Sequence, residues 1–340
     1  MRRVLCLYPF EKGTQQKLAG ISPELAITFA DPDGQDAVNA IQDERLDALL
    51  ANFCPADLRK VPVLGWLATI GAGVDHLKAI DPWSRGVTVT NGSGLHGTAI
   101  AEYTMAAFLS FSQNLADRNE NQRQRGWPAA WTGRWKELLG VSLRGRTVTV
   151  VGYGSIGREV ARIASAFGMR VLAIKARPTV KKDPGFSLPG LGDPEGSIPA
   201  RTGGLADVTE FFAESDYAVL TLPATPATER IIGRAAIAAL PRHAVLVNVA
   251  RGKILDETAL SDALSRGSLR GAVLDVAVAE PLPNDSPLWE IPNLVLTPHI
   301  SAINDPVGWW DLVAVLMTEN LSRYAAARDL VNVVNGAAGY

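Results

Sequence analysis

Short apolar runs and helical patterns alternate along the first hundred residues of the chain. The apolar runs have the length and β-branched content of strands, and polar-faced segments such as GQDAVNAIQDERL separate them. These runs are VLCLY at 4–8, AITFA at 26–30, ALLAN at 48–52, LGWLATI at 64–70 and VTVTN at 87–91. Such alternation is typical of a parallel sheet whose strands are joined by crossover helices.

The alternation starts again near residue 147 and predicts a second α/β unit. Its strands are TVTVVG at 147–152, RVLAIKA at 170–176, YAVLTLP at 217–223, AVLVNVA at 244–250, GAVLDVAV at 271–278 and LVLTP at 294–298. Helices are predicted for SIGREVARIASAFG at 155–168 and from PVGWWDLVAVLM onwards, near residue 306. Because 340 residues are many for one hydrophobic core, two α/β domains are expected.

Two segments lie outside this alternation. TAIAEYTMAAFLSFSQNLADRNEN, at 98–121, predicts one long amphipathic helix that suits a link between two domains. KKDPGFSLPGLGDPEGSIPARTGG, at 181–204, is rich in Gly and Pro and has neither the strand nor the helix period. It predicts a long surface loop, for which a functional role and a tolerated insertion both stay open.

Composition excludes several classes of protein. With 47% apolar and 20% charged residues and a formal charge of −2, the chain has no general affinity for nucleic acid or anionic membranes. Cys6 and Cys54 are too few for a disulfide framework and lie among apolar residues, which predicts buried, inert thiols. The start MRRVLCLYPF fits a first strand better than a signal peptide, and a cytoplasmic setting is expected. The four histidines lack the spacing of a metal site.

A glycine-rich turn begins the second unit. Gly152, Gly154 and Gly157 have G-x-G-x-x-G spacing, follow a β-branched strand and open an amphipathic helix. The first glycine allows a tight turn, the second lets a pyrophosphate approach the backbone, and the third allows close packing of helix and strand. The amides of Ser155 and Ile156 would then face the phosphates. The pattern predicts a dinucleotide site.

The strand after this turn ends in cations where an acidic residue is usual. An acid there binds the adenosine ribose 2′-hydroxyl, but this chain has Lys175 and then Arg177. A lysine cannot accept a hydrogen bond from a hydroxyl, although it can bind a 2′-phosphate. The two cations therefore favour NADP(H) over NAD(H), with solvated loop cations as the alternative.

Charged residues also follow the later strands. Arg251 comes after AVLVNVA, Asp275 and Glu280 lie in GAVLDVAVAEP, and His299 follows LVLTP. Open α/β sheets bind ligands at these carboxyl ends. A histidinium can protonate the ketone oxygen of a 2-oxo acid as hydride arrives, and a carboxylate beside it favours the charged imidazolium. A guanidinium can bind the substrate carboxylate bidentately.

Together these motifs resemble the D-isomer-specific 2-hydroxyacid dehydrogenase family. The matching stretches are GYGSIG at 152–157, VNVARG at 247–252, LDVAVAEP at 274–281 and TPH at 297–299, and their order and spacing match. The resemblance covers nearly the whole chain and includes GAGVD at 71–75. It implies an oxidoreductase that interconverts 2-oxo acids and D-2-hydroxy acids with a nicotinamide cofactor.

The resemblance implies roles for the matching positions. Arg251 is similar to the substrate-binding arginine, His299 to the acid/base and Glu280 to its partner, while amides near Ala72 and Gly73 would bind the substrate carboxylate. Asp275 would lie near the nicotinamide. The expected cofactor-binding residues are Gly152, Gly154, Ser155, Ile156, Gly157, Lys175, Arg177, Leu222, Pro223, Thr228, Val249, Ala250, Asp275 and Thr98.

The family resemblance also implies an architecture. A Rossmann cofactor domain, residues 99–300, would be inserted into a flavodoxin-like substrate domain formed by 1–98 and 301–340, with helices near 100–120 and 303–325 between them. Members are commonly homodimers joined through the cofactor domain. In some of them a Trp from the WPAAWTGRW region reaches the partner's substrate pocket, although ordinary packing is an alternative for Trp127, Trp131 and Trp135.

The chain departs from the family pattern at two places. Most NAD-dependent members have Asp where Lys175 stands, and the loop at 178–206 is longer than usual. Formate dehydrogenases of the superfamily have Gln in place of Glu280, which argues against that activity. The leading hypothesis is an NADP(H)-dependent glyoxylate or hydroxypyruvate reductase. The alternative is a dinucleotide-sensing binding protein similar to the corepressors of this fold.

Overall fold

A computed structural model describes residues 1–30, 34–183, 185–302 and 306–336. The chain divides into two compact units. The first comprises the described residues of Met1–His96, Pro184–Leu188 and Asp305–Tyr340, and the second those of Gly97–Asp183 and Pro189–Asn304.

Parallel strands form the sheet of the first unit, and in the described residues there are five of them. They are β1 (Arg2–Cys6), β2 (Leu25–Phe29), β3 (Leu46–Leu50), β4 (Trp66–Ala68) and β5 (Thr88–Thr90). Their order is β2-β1-β3-β4-β5, which is the flavodoxin-like order. All five apolar runs predicted as strands are confirmed, and the segment read as a first strand is β1.

Helices cover this first sheet. They are α1 (Lys12–Ala19), α2 (Gly34–Ala40) and α10 (Pro306–Ala325), with short 3-10 turns at Leu58–Lys60, Asp75–Leu77 and Pro82–Arg85. Side chains of α10 such as Val313, Leu316 and Met317 are buried against the strands. Cys6 and Cys54 are buried free thiols, and burial raises the pKa of each to about 12, as expected of inert cysteines.

The sheet of the second unit is also parallel and is built, within the part of the chain that is described, from seven strands. They are β6 (Thr147–Val151), β7 (Arg170–Ile174), β8 (Arg201–Gly203), β9 (Tyr217–Leu220), β10 (Val245–Asn248), β11 (Gly271–Leu274) and β12 (Leu294–Leu296). Their order, β12-β11-β10-β9-β6-β7-β8, is the Rossmann order with one strand added. The predicted α/β fold class is confirmed.

The helices of the second unit pack on both faces of its sheet. They are α3 (Gly97–Ser112), α4 (Leu115–Arg123), α5 (Gly133–Glu137), α6 (Ser155–Ala166), α7 (Val208–Ala213), α8 (Arg234–Ala239) and α9 (Glu257–Ser265). Two buried clusters lie on the opposite faces; one includes Phe108 and Val160, the other Phe212 and Leu260. Strands buried on both faces are apolar throughout, which explains the continuous apolar runs in the sequence.

The prediction of a single helix over 98–121 is wrong. Asn114 has a φ of 50°, in the left-handed region, and separates α3 from α4. Its side chain also donates to the carbonyl oxygen of Leu139 at 2.6 Å. Asn tolerates this conformation better than most non-glycine residues, and the residues on both sides of it favour a helix. For that reason the pattern did not show the break.

The prediction of a long surface loop at 181–204 is partly wrong. Arg201–Gly203 form β8, which pairs with β7, and Asp193 is buried. A three-residue edge strand is too short to show alternation. Residues 185–188 group with the first unit, where the backbone amide of Phe186 donates to Asn332 Oδ1 at 2.9 Å.

Candidate active site

The strand ends of the second sheet are in register. The last residues of β7, β6, β9, β10, β11 and β12 pair in that order across the sheet. Predicted site residues that follow these strands therefore form a row along the carboxyl edge: Lys175, Gly152, Leu222, Arg251, Asp275 and His299. Adjacent strands lie about 4.8 Å apart, so the five steps from β7 to β12 span roughly 24 Å. The strand order reverses between β6 and β9, where such sheets bind ligands.

The glycine turn has the shape that a dinucleotide requires. Gly152 has a φ of +107°, and a Cβ on it would lie 2.5 Å from Leu222 N. A Cβ on Gly157 would lie 2.1 Å from the carbonyl oxygen of Gly152. At Gly154, by contrast, no described atom outside its two chain neighbours lies within 4 Å of the position of a Cβ. The turn is packed tightly at its first and third glycines and is open at the second, where a pyrophosphate would approach.

The amides that would hold the pyrophosphate belong to the first turn of α6. Gly154 is the N-cap, and Ser155 and Ile156 are the first helical residues. Their N–H groups point along the helix axis toward its N-terminus, which carries the positive end of the helix dipole. Thr98 lies in the first turn of α3, beside this turn, since the adjacent Gly97 packs against Glu159 of α6.

Cations cluster at the end of β7. Lys175 Nζ donates to the carbonyl oxygen of Val180 at 2.5 Å, and Arg177 is exposed. Burial, followed by the positive charges of Arg158 and Arg177, lowers the pKa of Lys175, and Asp183 acts in the opposite sense. Lys175, Arg177 and Arg158 therefore lie near one another at the end of β7, with Asp183 as a nearby anion.

The loop after β9 lies next to the glycine turn on the carboxyl edge of the sheet, because β9 is the neighbour of β6. Leu222 is buried, and Pro223 is half-buried. Thr228, predicted near the adenosine, is also buried; its hydroxyl donates to the carbonyl oxygen of Pro223 at 2.7 Å and accepts from the amide of Thr225 at 2.8 Å. The hydroxyl of Thr228 thus sets the shape of this loop.

Arg251 follows β10 in a turn held by its neighbours. Its Nη1 donates to the carbonyl oxygen of Ala250 at 2.7 Å, and Asn248 Nδ2 donates to the carbonyl oxygen of Arg251 at 3.1 Å. Val249 and Ala250 are buried. A Cβ on the next residue, Gly252, would lie 2.0 Å from the carbonyl carbon of Ala277, in the turn that leads to Glu280. Close backbone contact therefore joins the arginine turn to the glutamate turn.

His299 and Glu280 are hydrogen-bonded. His299 Nδ1 lies 2.8 Å from Glu280 Oε2, and Glu280 Oε1 accepts from the amide of Ala277 at 3.0 Å. An ionised carboxylate only accepts hydrogen bonds, so Nδ1 carries the proton between them. The second ring nitrogen of His299 is then the one available to a substrate. The arrangement can orient an imidazole, as an acid/base pair requires.

Residues 105–301 match the model of a known protein family, described as "D-isomer specific 2-hydroxyacid dehydrogenase, NAD binding domain". The matched range is more than half of the chain and contains the glycine turn, Arg251, Glu280 and His299. The chain belongs to the D-isomer specific 2-hydroxyacid dehydrogenase family. The resemblance inferred from the motifs is therefore confirmed.

Relatives of this family are similar over the whole chain. A glyoxylate reductase from Korarchaeum cryptofilum (strain OPF8) is 30% identical over 310 residues, 90% of this chain and 87% of that protein. A D-isomer specific 2-hydroxyacid dehydrogenase from Xanthobacter autotrophicus Py2, solved with NADPH and MES, has a TM-score of 0.78 at 27% identity and covers 100% of this chain and 99% of its own. An NADPH-dependent glyoxylate/hydroxypyruvate reductase from Sinorhizobium meliloti, solved with NADP and sulfate, has a TM-score of 0.77 at 25% identity and covers 100% of both chains.

These similarities establish the enzyme class of the chain. It is a 2-hydroxyacid oxidoreductase, and its second unit is the NAD-binding domain of the family. No helix in the described ranges is long and apolar enough to cross a membrane.

Asp275 supports the histidine segment of this dehydrogenase. The side chain is 1% exposed, and its carboxylate accepts hydrogen bonds from the amides of Ile300 at 2.9 Å and Ser301 at 3.0 Å. Its backbone carbonyl accepts from the amide of His299 at 2.8 Å. His299 itself has a φ of 56°, which a histidine adopts only where its surroundings hold it. Asp275 thus fixes the backbone that presents His299.

Tyr103 is a site residue that the sequence did not reveal. Its hydroxyl lies 2.6 Å from Thr297 Oγ1, and Thr297 Oγ1 donates to Asp275 Oδ1 at 2.6 Å. The single hydroxyl proton of Thr297 is directed to the carboxylate, so Tyr103 is the donor in the other bond. Tyr103 and Thr297 are 194 positions apart, and no local pattern signals such a contact.

Glu257 is a second residue that sequence patterns did not single out. It begins α9, and its Oε1 accepts from the amide of Val278 at 2.6 Å. Burial is the largest influence on the pKa of Glu257 and raises it; the charge of Glu280 raises it further. The negative charge of Glu257 therefore lies close to the partner of His299.

The predicted substrate-binding amides lie in the first unit, directly after β4. Ala72 and Gly73 are half-buried, and the carbonyl oxygen of Ala72 accepts from Asn91 Nδ2 at 2.8 Å. The amide of Gly92 donates to the carbonyl oxygen of Gly71 at 3.0 Å. These bonds fix the loop at the carboxyl edge of the first sheet.

Proposed function

We propose that this dehydrogenase reduces a small 2-oxo acid to its D-2-hydroxy acid with NADPH, as a glyoxylate or hydroxypyruvate reductase does. One observation carries the proposal. The sheet edge that bears the open glycine turn and Lys175 also bears the hydrogen-bonded pair of His299 and Glu280. The names of the similar reductases support the same substrate class.

The chemistry is divided among the residues of this edge. Reduction adds a hydride to the ketone carbon and a proton to its oxygen, and the bound dinucleotide supplies the hydride. His299 supplies the proton from the ring nitrogen that does not face Glu280. Glu280 accepts the hydrogen bond from Nδ1 and so orients the ring toward the substrate.

Arg251 binds the substrate carboxylate in this proposal. A guanidinium has five N–H donors in a planar fork that matches a carboxylate, and the bond from Nη1 to Ala250 fixes its direction. The amides of Ala72 and Gly73 are proposed as further carboxylate donors of the first unit. With the carboxylate held, the keto group next to it has one orientation toward His299.

NADPH is preferred to NADH in the proposal because of the charge at the end of β7. Lys175 replaces the acid that would accept from a ribose 2′-hydroxyl, and a cationic side chain at this position can bind a phosphate. Arg177 adds a second, exposed cation. Asp275, Leu222, Pro223, Thr228, Val249, Ala250 and Thr98 are proposed to line the remainder of the cofactor site.

The test is a panel of 2-oxo acids assayed with NADPH and with NADH on the purified protein. Glyoxylate or hydroxypyruvate with NADPH should give the highest kcat/KM, and hydroxypyruvate should yield D-glycerate. A preference for NADH would reject the cofactor assignment. Tight binding of NADPH without turnover of any 2-oxo acid would instead favour the dinucleotide-sensing protein.

We also propose that the protein is a homodimer and that it works in a reducing, cytoplasmic setting. The side chains of Trp127 and Trp131 are 96% and 74% exposed, and Trp131 contacts Trp135 with ring centroids 4.8 Å apart. Large exposed aromatics are common at interfaces. Light scattering after size-exclusion chromatography should give twice the mass of the chain. The buried free thiols are consistent with a reducing compartment.

A further inference from the structure

Residues 189–198, which we call the anchor segment, pack on the glycine turn. Asp193 in this segment is 5% exposed, although its side chain is a carboxyl group. Its Oδ2 accepts a hydrogen bond from the hydroxyl of Tyr153 at 2.7 Å. Tyr153 lies between the first two glycines of the turn. A buried carboxylate thus contacts the dinucleotide turn directly.

The anchor segment holds this carboxylate from its own side. Asp193 accepts from the amides of Ser197 and Ile198, both at 3.0 Å, and from the hydroxyl of Ser197 at 3.3 Å. Burial acts to raise the pKa of Asp193, but the hydrogen bonds from Ser197, Tyr153 and Ile198 outweigh it and the pKa is lowered. Asp193 is therefore an anion at neutral pH, and its bond to Tyr153 is charge-assisted.

Arg158 holds Tyr153 against the same segment. Its guanidinium lies over the ring of Tyr153, 4.8 Å from the centroid, and Nη1 donates to the carbonyl oxygen of Asp193. Nη2 donates to the carbonyl oxygen of Lys181 at 2.6 Å, and Nε lies 3.2 Å from Asp183 Oδ2. Arg158 is 3% exposed and directly follows the third glycine. The ring of Tyr153 is thus held on its face and at its hydroxyl.

Glu159 adds a link between the anchor segment and α6. Its Oε2 accepts from the amide of Gly192 at 2.6 Å, and its Oε1 lies 2.6 Å from Arg162. The anchor segment does not cover Gly154, because apart from the two chain neighbours of this glycine no described atom lies within 4 Å of a Cβ placed there. The segment therefore fixes the turn from the side and leaves its phosphate-facing position clear.

We propose that Asp193 is a positioning residue for the cofactor. By holding Tyr153, it keeps the backbone between Gly152 and Gly154 in the conformation that receives a pyrophosphate. The inference rests on the proposed dinucleotide-dependent function and assigns a role in it to the long loop. A turn that is ordered before the cofactor arrives loses less entropy on binding, so its affinity is higher.

Tyr153→Phe is the sharpest test, since it removes only the hydroxyl and keeps the ring under Arg158. The Kd for NADPH, measured by titration of the nucleotide fluorescence, should rise roughly tenfold, the effect of losing one hydrogen bond to a charged group. The KM for NADPH should rise with it, while kcat at saturating NADPH and the KM for the 2-oxo acid change by less than about twofold. Wild-type affinity in this variant would overturn the proposal.

Asp193→Asn and Glu195→Gln form a matched pair on the same segment. Asp193→Asn should weaken NADPH binding at least as much as Tyr153→Phe. The double variant that combines Tyr153→Phe with Asp193→Asn should bind NADPH no more weakly than Asp193→Asn alone. Glu195 pairs with Lys182 at 3.0 Å on the surface, so Glu195→Gln should leave the Kd unchanged. A lowered Tm with an unchanged Kd in Asp193→Asn would show a structural role only and would overturn the inference. If Asp193→Asn does not fold, Tyr153→Phe decides.

Binding measurements separate this inference from the proposed function. If the wild type binds NADPH but reduces no 2-oxo acid, the proposed reaction fails and the comparison of Kd values still tests Asp193. If the wild type prefers NADH, the same comparison is made with NADH. Failure to bind either dinucleotide would overturn both.

Discussion

The hydroxyl of Thr297 donates to Asp275 Oδ1 at 2.6 Å and joins a buried carboxylate to the residue two positions before His299. The same carboxylate accepts from the amides of Ile300 and Ser301, directly after the histidine. Asp275 is therefore bonded on both sides of His299, whose φ of 56° needs such support. The aspartate therefore organises the backbone on both sides of His299, the residue proposed as the acid/base.

Thr297→Val should lower both stability and turnover. It removes one of the hydrogen bonds to the Asp275 carboxylate and leaves the hydroxyl of Tyr103 without its acceptor, which costs about 1–3 kcal/mol of the free energy of unfolding. We expect kcat to fall roughly tenfold, because the His299 backbone loses part of its support. Urea denaturation and steady-state kinetics measure the two effects. Thr297→Ser keeps the hydroxyl and should behave as wild type; equal loss in both variants would assign the effect to packing.

His299→Ala and Arg251→Ala should both lower kcat/KM for the 2-oxo acid by at least ~10². The two losses differ in origin. His299→Ala removes the proton donor and should act mainly on kcat, while Arg251→Ala removes a carboxylate contact and should raise the KM for the 2-oxo acid. Neither should change the Kd for NADPH by more than about twofold. Activity within a few-fold of wild type would refute the corresponding role.

Lys175→Ala should reduce the preference for NADPH over NADH. A hydrogen bond to a charged group contributes about 1.5–3 kcal/mol, so the ratio of the two kcat/KM values should fall by roughly 10- to 100-fold. Lys182→Ala removes the same charge from the surface ion pair with Glu195 and is the matched control. If both variants shift the ratio equally, the effect is one of general charge and Lys175 does not bind the 2′-phosphate.

Gly154→Ala and Gly157→Ala make the same chemical change three positions apart and should affect different properties. The first should weaken NADPH binding and the second should lower stability. The methyl group at Gly154 meets no described atom within 4 Å, so folding should be unaffected while NADPH binding weakens roughly tenfold or more. The methyl group at Gly157 would lie 2.1 Å from the carbonyl oxygen of Gly152, so the free energy of unfolding should fall by about 1–3 kcal/mol. Thermal unfolding and nucleotide titration of both variants measure this. Intact NADPH binding in Gly154→Ala would contradict a pyrophosphate site there.

Glu257→Gln should change stability in a pH-dependent way. Burial chiefly raises the pKa of Glu257 above its usual value of 4.5. A carboxyl whose pKa is raised by folding stabilises the protein while protonated, so its contribution is present below pH 4.5 and is lost as the pH rises through the folded pKa. Gln keeps an oxygen acceptor for Val278 and never ionises. The variant should therefore gain in Tm over wild type near pH 8, with the gain disappearing near ~pH 4. An equal difference at both pH values would rule out ionisation as its cause.

The sequence predicted those parts of the fold and site that depend on local geometry. The glycine spacing predicted the turn because the tight contacts of Gly152 and Gly157 lie within one β-α connection and its neighbouring strand. Arg251, Asp275 and His299 could be assigned to one edge because parallel strands bring their carboxyl ends together. The order of strands along that edge, and hence the separation of Lys175 from His299, followed only from the structure.

The features that the sequence did not predict depend on contacts between distant segments or give only weak local signals. Tyr103 reaches Thr297 across 194 positions, and Asp193 reaches Tyr153 across 40. Neither contact is marked by periodicity, since each joins a helix or loop residue to one side chain elsewhere. The break at Asn114 was missed because the residues on both sides of it favour a helix and only one backbone φ changes sign.

In the proposed function, the aligned strand ends give cofactor preference and acid/base chemistry separate positions on one edge of the sheet. Lys175 and His299 follow β7 and β12, about 24 Å apart by strand spacing, and substitutions more than about 7–10 Å apart usually add in free energy. Changes at Lys175 and at His299 should thus combine without coupling, and either trait could be altered by selection or by design while the other is kept. The spacing of the strands thus lets cofactor preference change without a change in the acid/base residues, and the reverse.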